Sequence, residues 1–219
     1  GDQATRALVA NLYSSHIVNS DLSEYIINDE NGKKAVALIN KLIEDGCLVD
    51  GNMQNGTEDI SDFTNGESSF SILWGPNQYN TYFDKLKSNN IEIVEVPYPS
   101  NDGVPELEYL VNGFCIFNTK NEKKIEASKK LIKFICDKEK YGIESVKKTG
   151  CIPVRKSFGE IYSDDRMKEI EKWSKYYSTY YNTISGFADM RILWYQSMKS
   201  LVISHIDSDE ILDNFVSRA

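Results

Sequence analysis

Leu110-Val111-Asn112-Gly113-Phe114-Cys115-Ile116-Phe117 is a nearly continuous apolar run. It is far too short to cross a bilayer, and its near-continuous hydrophobicity predicts a strand covered on both faces. Upstream, Ile91-Glu92-Ile93-Val94-Glu95-Val96 alternates largely as a half-buried strand does, and Pro97 and Pro99 terminate it. A third strand is expected over 69–74, ahead of the turn Gly75-Pro76. Between these strands, residues 79–87 place Tyr82, Phe83 and Leu86 on one side of a helix. After them, residues 122–137 carry Ala127, Leu131, Ile132, Ile135 and Cys136 as the buried face of another. Strands separated by helices and followed by a helix-rich second half define an α/β protein.

The remaining pattern is helical punctuation. Ala7, Leu8 and Leu12 predict a short amphipathic helix over 5–13. Ala35, Leu38, Ile39, Leu42 and Ile43 predict a second over 33–45, with Gly46 as its left-handed stop. A short helix around Ile60 ends near Asn65-Gly66, and further helices cover 138–148, 164–177 and 189–205. Asp207 can cap the last helix, with Glu210 reaching back as a capping-box partner. Residues 19–30 and 51–59 read as loops, Asn101-Asp102-Gly103 as a turn, and no internal repeat is present.

The 219 residues are enough to bury a substantial core, and 41% hydrophobic with 26% charged residues is ordinary for a globular protein. A net charge of −8 with interleaved signs argues against nucleic acid as a partner. The basic stretch 120–133 is mixed with Glu122 and Glu126 and reads as a solvated helix face. Four scattered cysteines (Cys47, Cys115, Cys136 and Cys151) lack CxxC spacing and, with only two histidines, argue against a zinc site. They are expected as buried free thiols. The chain opens on the polar Gly1-Asp2-Gln3 and not on a charged-then-apolar stretch.

Several local signatures occur in a fixed order: 42–48 at a helix end, Phe63-Thr64-Asn65-Gly66-Glu67-Ser68-Ser69-Phe70, Gly75-Pro76, and Val94-Glu95-Val96-Pro97-Tyr98-Pro99. Val111-Asn112-Gly113-Phe114-Cys115-Ile116, residues 127–134, Gly150-Cys151-Ile152-Pro153-Val154 and Ser208-Asp209-Glu210-Ile211-Leu212 follow. Their joint order resembles family 1 extracellular solute-binding proteins, the maltose-binding-protein-like family. The resemblance implies a type II periplasmic-binding-protein fold, represented mostly by its carboxy-terminal lobe. Residues 1–108 and 153–219 are expected in that lobe, and 109–152 in a segment that completes an amino-terminal lobe otherwise absent. Without that partner, the 110–117 strand is expected to expose unpaired edges and to pack abnormally or against another copy.

Carried over as expectations, the resemblance implies capture of a mono- or oligosaccharide outside the cytoplasm and delivery to an ABC transporter permease. It implies no cofactor, no catalysis, and membrane attachment only through a lipid anchor outside this chain, as a cell-surface lipoprotein or periplasmic protein. A sugar site needs aromatic rings against C–H faces and hydrogen-bonding groups at the rim. The family often stacks an aromatic directly after Gly-Pro; here that position is Asn77, so stacking passes to Trp74 or Tyr79, or Asn77 bonds hydroxyls itself. Trp194-Tyr195 resembles the family's stacking pair, with core packing as the alternative for Trp194. Arg191 and Asp189 can reach the cleft from the same helix end, and Arg6, beside Gln3 and Thr5, can grip vicinal hydroxyls or a carboxylate. Asn112 and Phe114 approach from the other lobe, and some of Tyr176, Tyr177, Tyr180 and Tyr181 line the cleft.

A catalytic constellation is not evident. His16 and His205 have no serine or cysteine motif beside them, and no glycine-rich phosphate loop is present. The alternatives to sugar capture are a binding module for a peptide or other non-sugar solute and, more remotely, a glycoside-processing enzyme using two of the many carboxylates.

Overall fold

The structure, a computed structural model, describes residues 2–47, 58–72, 74–109, 111–137, 139–178, 180–204 and 206–219. The expectations at 48–57 and at Leu73, Leu110 and His205 lie outside the described residues. Helices α1 (Asp2–Leu12), α2 (Glu30–Glu44), α3 (Glu58–Asn65) and α4 (Pro76–Ser88) occupy the first half. Helices α5 (Glu122–Asp137), α6 (Glu139–Thr149), α7 (Asp165–Lys172), α8 (Phe187–Ser204) and α9 (Ser208–Arg218) occupy the second. The chain divides into two compact units: Gly1–Trp74, Lys85–Tyr109 and Tyr176–Ala219 form the first, and Gly75–Asp84 with Leu110–Lys175 the second.

In the first unit, α2 begins where Asp29 accepts from the Gly32 amide at 2.7 Å and from the Ser15 hydroxyl at 2.7 Å. That cap satisfies an amide left open at the helix start and ties it to the preceding loop. Gly32 has no substitute, because a Cβ there would overlap the carbonyl oxygen of Ile27. The stripe Ala35, Val36, Ile39 and Ile43 is buried against α1 and α9, while α8 packs on α1 and α9. Gly46, at φ +69°, ends the helix as expected, and the Cys47 amide donates to Leu42 O at 2.8 Å. At the centre Trp194 stands edge-on to Phe215, ring centroids 5.1 Å apart, with Ile17, Met198, Leu201 and Leu212 sealed around them. Asp207 caps α9 by accepting from the Asp209 amide at 2.9 Å.

The second unit is held by fewer buried side chains. Helices α5 and α6 pack together, and Phe134 meets Tyr141 with ring centroids 4.8 Å apart. Gly150 at φ +68° stops α6. The Tyr162 hydroxyl then donates to Cys151 O at 2.6 Å, and Arg155 bridges to Asp137 at 3.0 Å. Asp164 caps α7 through the Met167 amide at 2.9 Å, and Met167 and Ile170 are its buried residues. The 3-10 turn Trp173–Tyr176 replaces the last part of the helix expected over 164–177.

The expected sheet does not form among the described residues, which are helix-rich. Backbone pairing outside helices amounts there to single bridges, Val18–Tyr25 antiparallel and Leu107–Tyr177 parallel. Residues 91–96 and 111–117 are without regular structure. The alternation over 91–96 is real, since Ile91, Ile93 and Glu95 are half-buried while Val94 is 87% exposed. Alternation selects a face, but a strand also needs a neighbour to take its amides and carbonyls. Likewise 111–117, expected to be covered on both faces, is open, with Phe117 84% exposed. The α5 stripe is uncovered too: no residue of α5 is buried, and Leu131 is 60% exposed. The four cysteines are free, but Cys47 and Cys115 are exposed and Cys136 and Cys151 half-buried, so they do not serve as core residues.

The chain leaves the first unit after Tyr109 and returns at Tyr176. Within that unit the two passing segments lie side by side. The Leu107 amide donates to Tyr176 O and the Ser178 amide to Leu107 O, each at 2.8 Å, and the Tyr109 and Tyr177 rings sit 5.4 Å apart. Asn11 clamps the outgoing segment from α1: its Nδ2 donates to Glu106 O at 2.8 Å, and the Glu106 amide donates to its Oδ1 at 2.6 Å.

Candidate functional site

Helix α1 turns Thr5 and Arg6 into the first unit. Arg6 Nη2 donates to Glu108 Oε1 at 2.9 Å, with the side chains 1% and 6% exposed. The guanidinium also lies 5.8 Å from the Phe187 ring centroid and 5.9 Å from that of Tyr181. A cation taken this far from water needs a carboxylate and polarisable rings to offset its lost hydration. Burial, then the charge of Glu108, pushes the Tyr181 hydroxyl well above its ordinary value, with Arg6 pulling the other way. Exposed Arg191 lies 5.9 Å from the centroid of the same Phe187 ring. Glu108 Oε2 and Asn182 Oδ1 are buried acceptors without a hydrogen-bond donor. Such orphan acceptors suit a partner rich in hydroxyl donors.

The second unit holds a pocket of about 510 Å³ at the junction of α4, α6 and α7, lined by Tyr79, Asn80, Lys147, Ser163, Asp164 and Arg166 among others. The Arg166 guanidinium lies 3.8 Å from the Tyr79 ring centroid, and Phe83 stands 5.6 Å from that ring. Tyr162, also in the wall, has its hydroxyl pushed up to about 12 by burial first, with Cys151, Glu171 and Asp164 adding to it and Arg166 opposing.

The residues singled out from the sequence fall at several places. Arg6 and Arg191 share the Phe187 ring in the first unit. Trp194 is fully buried, its Nε1 donating to Thr5 Oγ1 at 2.9 Å, so in this conformation it faces the core; Tyr195 beside it is half-buried. Trp74 is half-buried against Phe63, ring centroids 5.4 Å apart, and its Nε1 donates to Glu95 Oε1 at 2.7 Å. Asn77 is exposed in the first turn of α4, and Tyr79 lines the second unit's pocket. Asn112 and Phe114 lie exposed on the 111–117 segment. Sequence reasoning passed over Glu108, Asn182 and Arg166. An arginine within the apolar pattern of 5–13 signals a buried cation, but nothing local says which of 33 acidic residues meets it.

Among the described residues no cluster of His, Cys, Asp and Glu could hold a metal ion, and no helix is long and apolar enough to cross a membrane. A family model described as bacterial extracellular solute-binding protein matches residues 4–178. No curated protein matches the chain.

Proposed function

The chain belongs to the bacterial extracellular solute-binding protein family, and from that premise we propose that it captures a mono- or oligosaccharide without altering it and hands it to an ABC importer. Membership makes solute capture outside the cytoplasm its role. The saccharide, the permease partner and a lipid anchor on the mature protein are the finer parts of the proposal. So is an α/β periplasmic-binding-protein fold, in which the uncovered stretches 91–96 and 111–117 pair with further strands. In that fold residues 1–108 and 153–219 belong to the carboxy-terminal lobe and 109–152 complete the other; 75–84 and 153–175 pack with 110–152 in the second compact unit.

The observation that carries the sugar reading is the Arg6 cluster. Two buried acceptors, Glu108 Oε2 and Asn182 Oδ1, lack donors in the same unit that offers the Tyr181 and Phe187 rings. A polyol supplies hydroxyl donors to the first and apolar C–H faces to the second. Both acceptors are sealed in this conformation, so solute reaches them only when the region opens. Arg191 and Tyr195 form the accessible rim, and Trp74, Asn77, Tyr79, Asn112 and Phe114 are further contact candidates. Trp194 supports that rim from the core. Calorimetric titration of the protein with neutral mono- and oligosaccharides, and separately with short peptides, tests this. Saccharide binding weakened by Arg191→Ala supports it; binding of peptides alone overturns it.

A further inference from the structure

Asparagine is followed directly by glycine at four places, 31–32, 55–56, 65–66 and 112–113. In such a pair the glycine nitrogen can attack the asparagine side-chain carbonyl carbon, because glycine has no Cβ to hinder the approach. The attack needs that nitrogen to shed its proton, and the asparagine backbone to rotate until nitrogen and Cγ meet. A helical backbone whose next N–H is already hydrogen-bonded denies both.

The pair at 55–56 lies outside the described residues, and the surroundings of the other three differ. Asn31 lies in the first turn of α2, and the Gly32 amide donates to the Asp29 carboxylate at 2.7 Å. A deprotonated nitrogen there would face a negative charge. Asn65 ends α3, and the Gly66 amide donates to Phe63 O at 3.1 Å. Asn112-Gly113 lies on the stretch 111–117, which has no regular structure and is exposed at every residue. The Gly113 amide makes no hydrogen bond among the described residues, and a Cβ added at Gly113 would meet nothing within 4 Å. Nothing there holds the nitrogen or resists the rotation.

We propose that Asn112 is a modification site at which the folded chain deamidates spontaneously, whatever solute the protein binds. The Gly113 nitrogen gives its proton to solvent and bonds to Asn112 Cγ; the Cγ–Nδ2 bond breaks, and ammonia leaves with a proton taken back from solvent. Water then opens the cyclic imide at either carbonyl, to aspartate or isoaspartate. Each product replaces a neutral amide that donates and accepts with an acceptor-only carboxylate, and isoaspartate also routes the backbone through the side chain. The test is timed incubation of the native protein in mildly alkaline buffer, read by peptide mapping with mass spectrometry and enzymatic isoaspartate detection. Asn112 is expected to convert about tenfold or more faster than Asn31 and Asn65, which react only after their helix ends open. In urea the three rates are expected to converge, because the fold no longer separates them. Gly113→Ala fits the open space at that position and should slow Asn112 about tenfold by hindering the attack. Equal rates at the three sites in the native protein overturn the proposal, as does a Gly113→Ala variant that reacts as fast. So does an Asn112 that converts only in urea, the result expected if a strand ladder takes the Gly113 amide.

Discussion

Arg6 on α1 and Glu108 at the end of the outgoing segment meet at 2.9 Å with both side chains almost sealed from solvent. They are separated by 102 positions in the chain, so the pair fastens the start of the first unit to the end of its Lys85–Tyr109 segment. A buried pair of this kind is weak as a source of net stability but severe when half-broken, because the surviving charge stays buried. Arg6→Ala and Glu108→Ala are each expected to destabilise by about 3–5 kcal/mol. Replacing both with alanine together should cost less than the two losses added. Urea unfolding of the four proteins measures the coupling.

Asn11 holds the same segment by two backbone hydrogen bonds to Glu106, at 2.8 and 2.6 Å. Asn11→Ala leaves that amide and carbonyl without these partners and should destabilise by about 1–3 kcal/mol. Limited proteolysis is expected to cut near 104–109 sooner than in the parent protein, while cleavage within α8 and α9 stays slow.

Trp194 is fully buried and donates to Thr5 at 2.9 Å. Trp194→Ala should cost about 3–5 kcal/mol through the cavity it leaves against Phe215. Thr5→Val removes the acceptor of the indole N–H and should cost about 1–3 kcal/mol with little change in volume. Chemical denaturation checks both, and a smaller loss for Trp194→Ala than for Thr5→Val would contradict the packing described.

Asp29→Ala removes the acceptor for the Gly32 amide and the Ser15 hydroxyl, each at 2.7 Å. A loss of about 1–2 kcal/mol is expected, at the upper end for a helix cap because a second bond goes with it. Asp29→Asn should recover most of it.

Tyr162 is held up to about 12 against an ordinary 10.0, chiefly by burial. Between those values the unfolded chain has lost the proton and the folded chain keeps it, so folding is favoured by protonation. Its contribution to stability is complete below pH 10, declines as pH rises from 10 to 12, and is gone above that range. Ionisation also removes the donor that binds Cys151 O. Tyr162→Phe should therefore flatten the alkaline fall in stability and delete a late-ionising phenol from the ultraviolet titration.

Much of the helical layout was legible because its causes are local. The stripe ending at Ile43 and the glycine after Asp45 define α2 without reference to anything distant. The Asp164 and Asp207 caps are equally local. The sheet was not legible in the same sense. Residues 91–96 and 111–117 have strand character, yet among the described residues no neighbouring ladder takes their backbone groups. For the site, the sequence singled out Arg6, Arg191 and Tyr79 as residue types suited to binding, but not their company. Glu108 and Arg166 became partners only in three dimensions.

By itself, then, the sequence determined that most of these helices form, the stop at Gly46, and the membership that the ordered motifs announced, since each depends on residues within a few turns of one another or on their order along the chain. Tertiary structure alone decided that Trp194 faces the core, that Arg6 is sealed against Glu108, and that a pocket closes around Tyr79. Burial and long-range pairing depend on which distant segments arrive to exclude water, and no local pattern encodes that arrival.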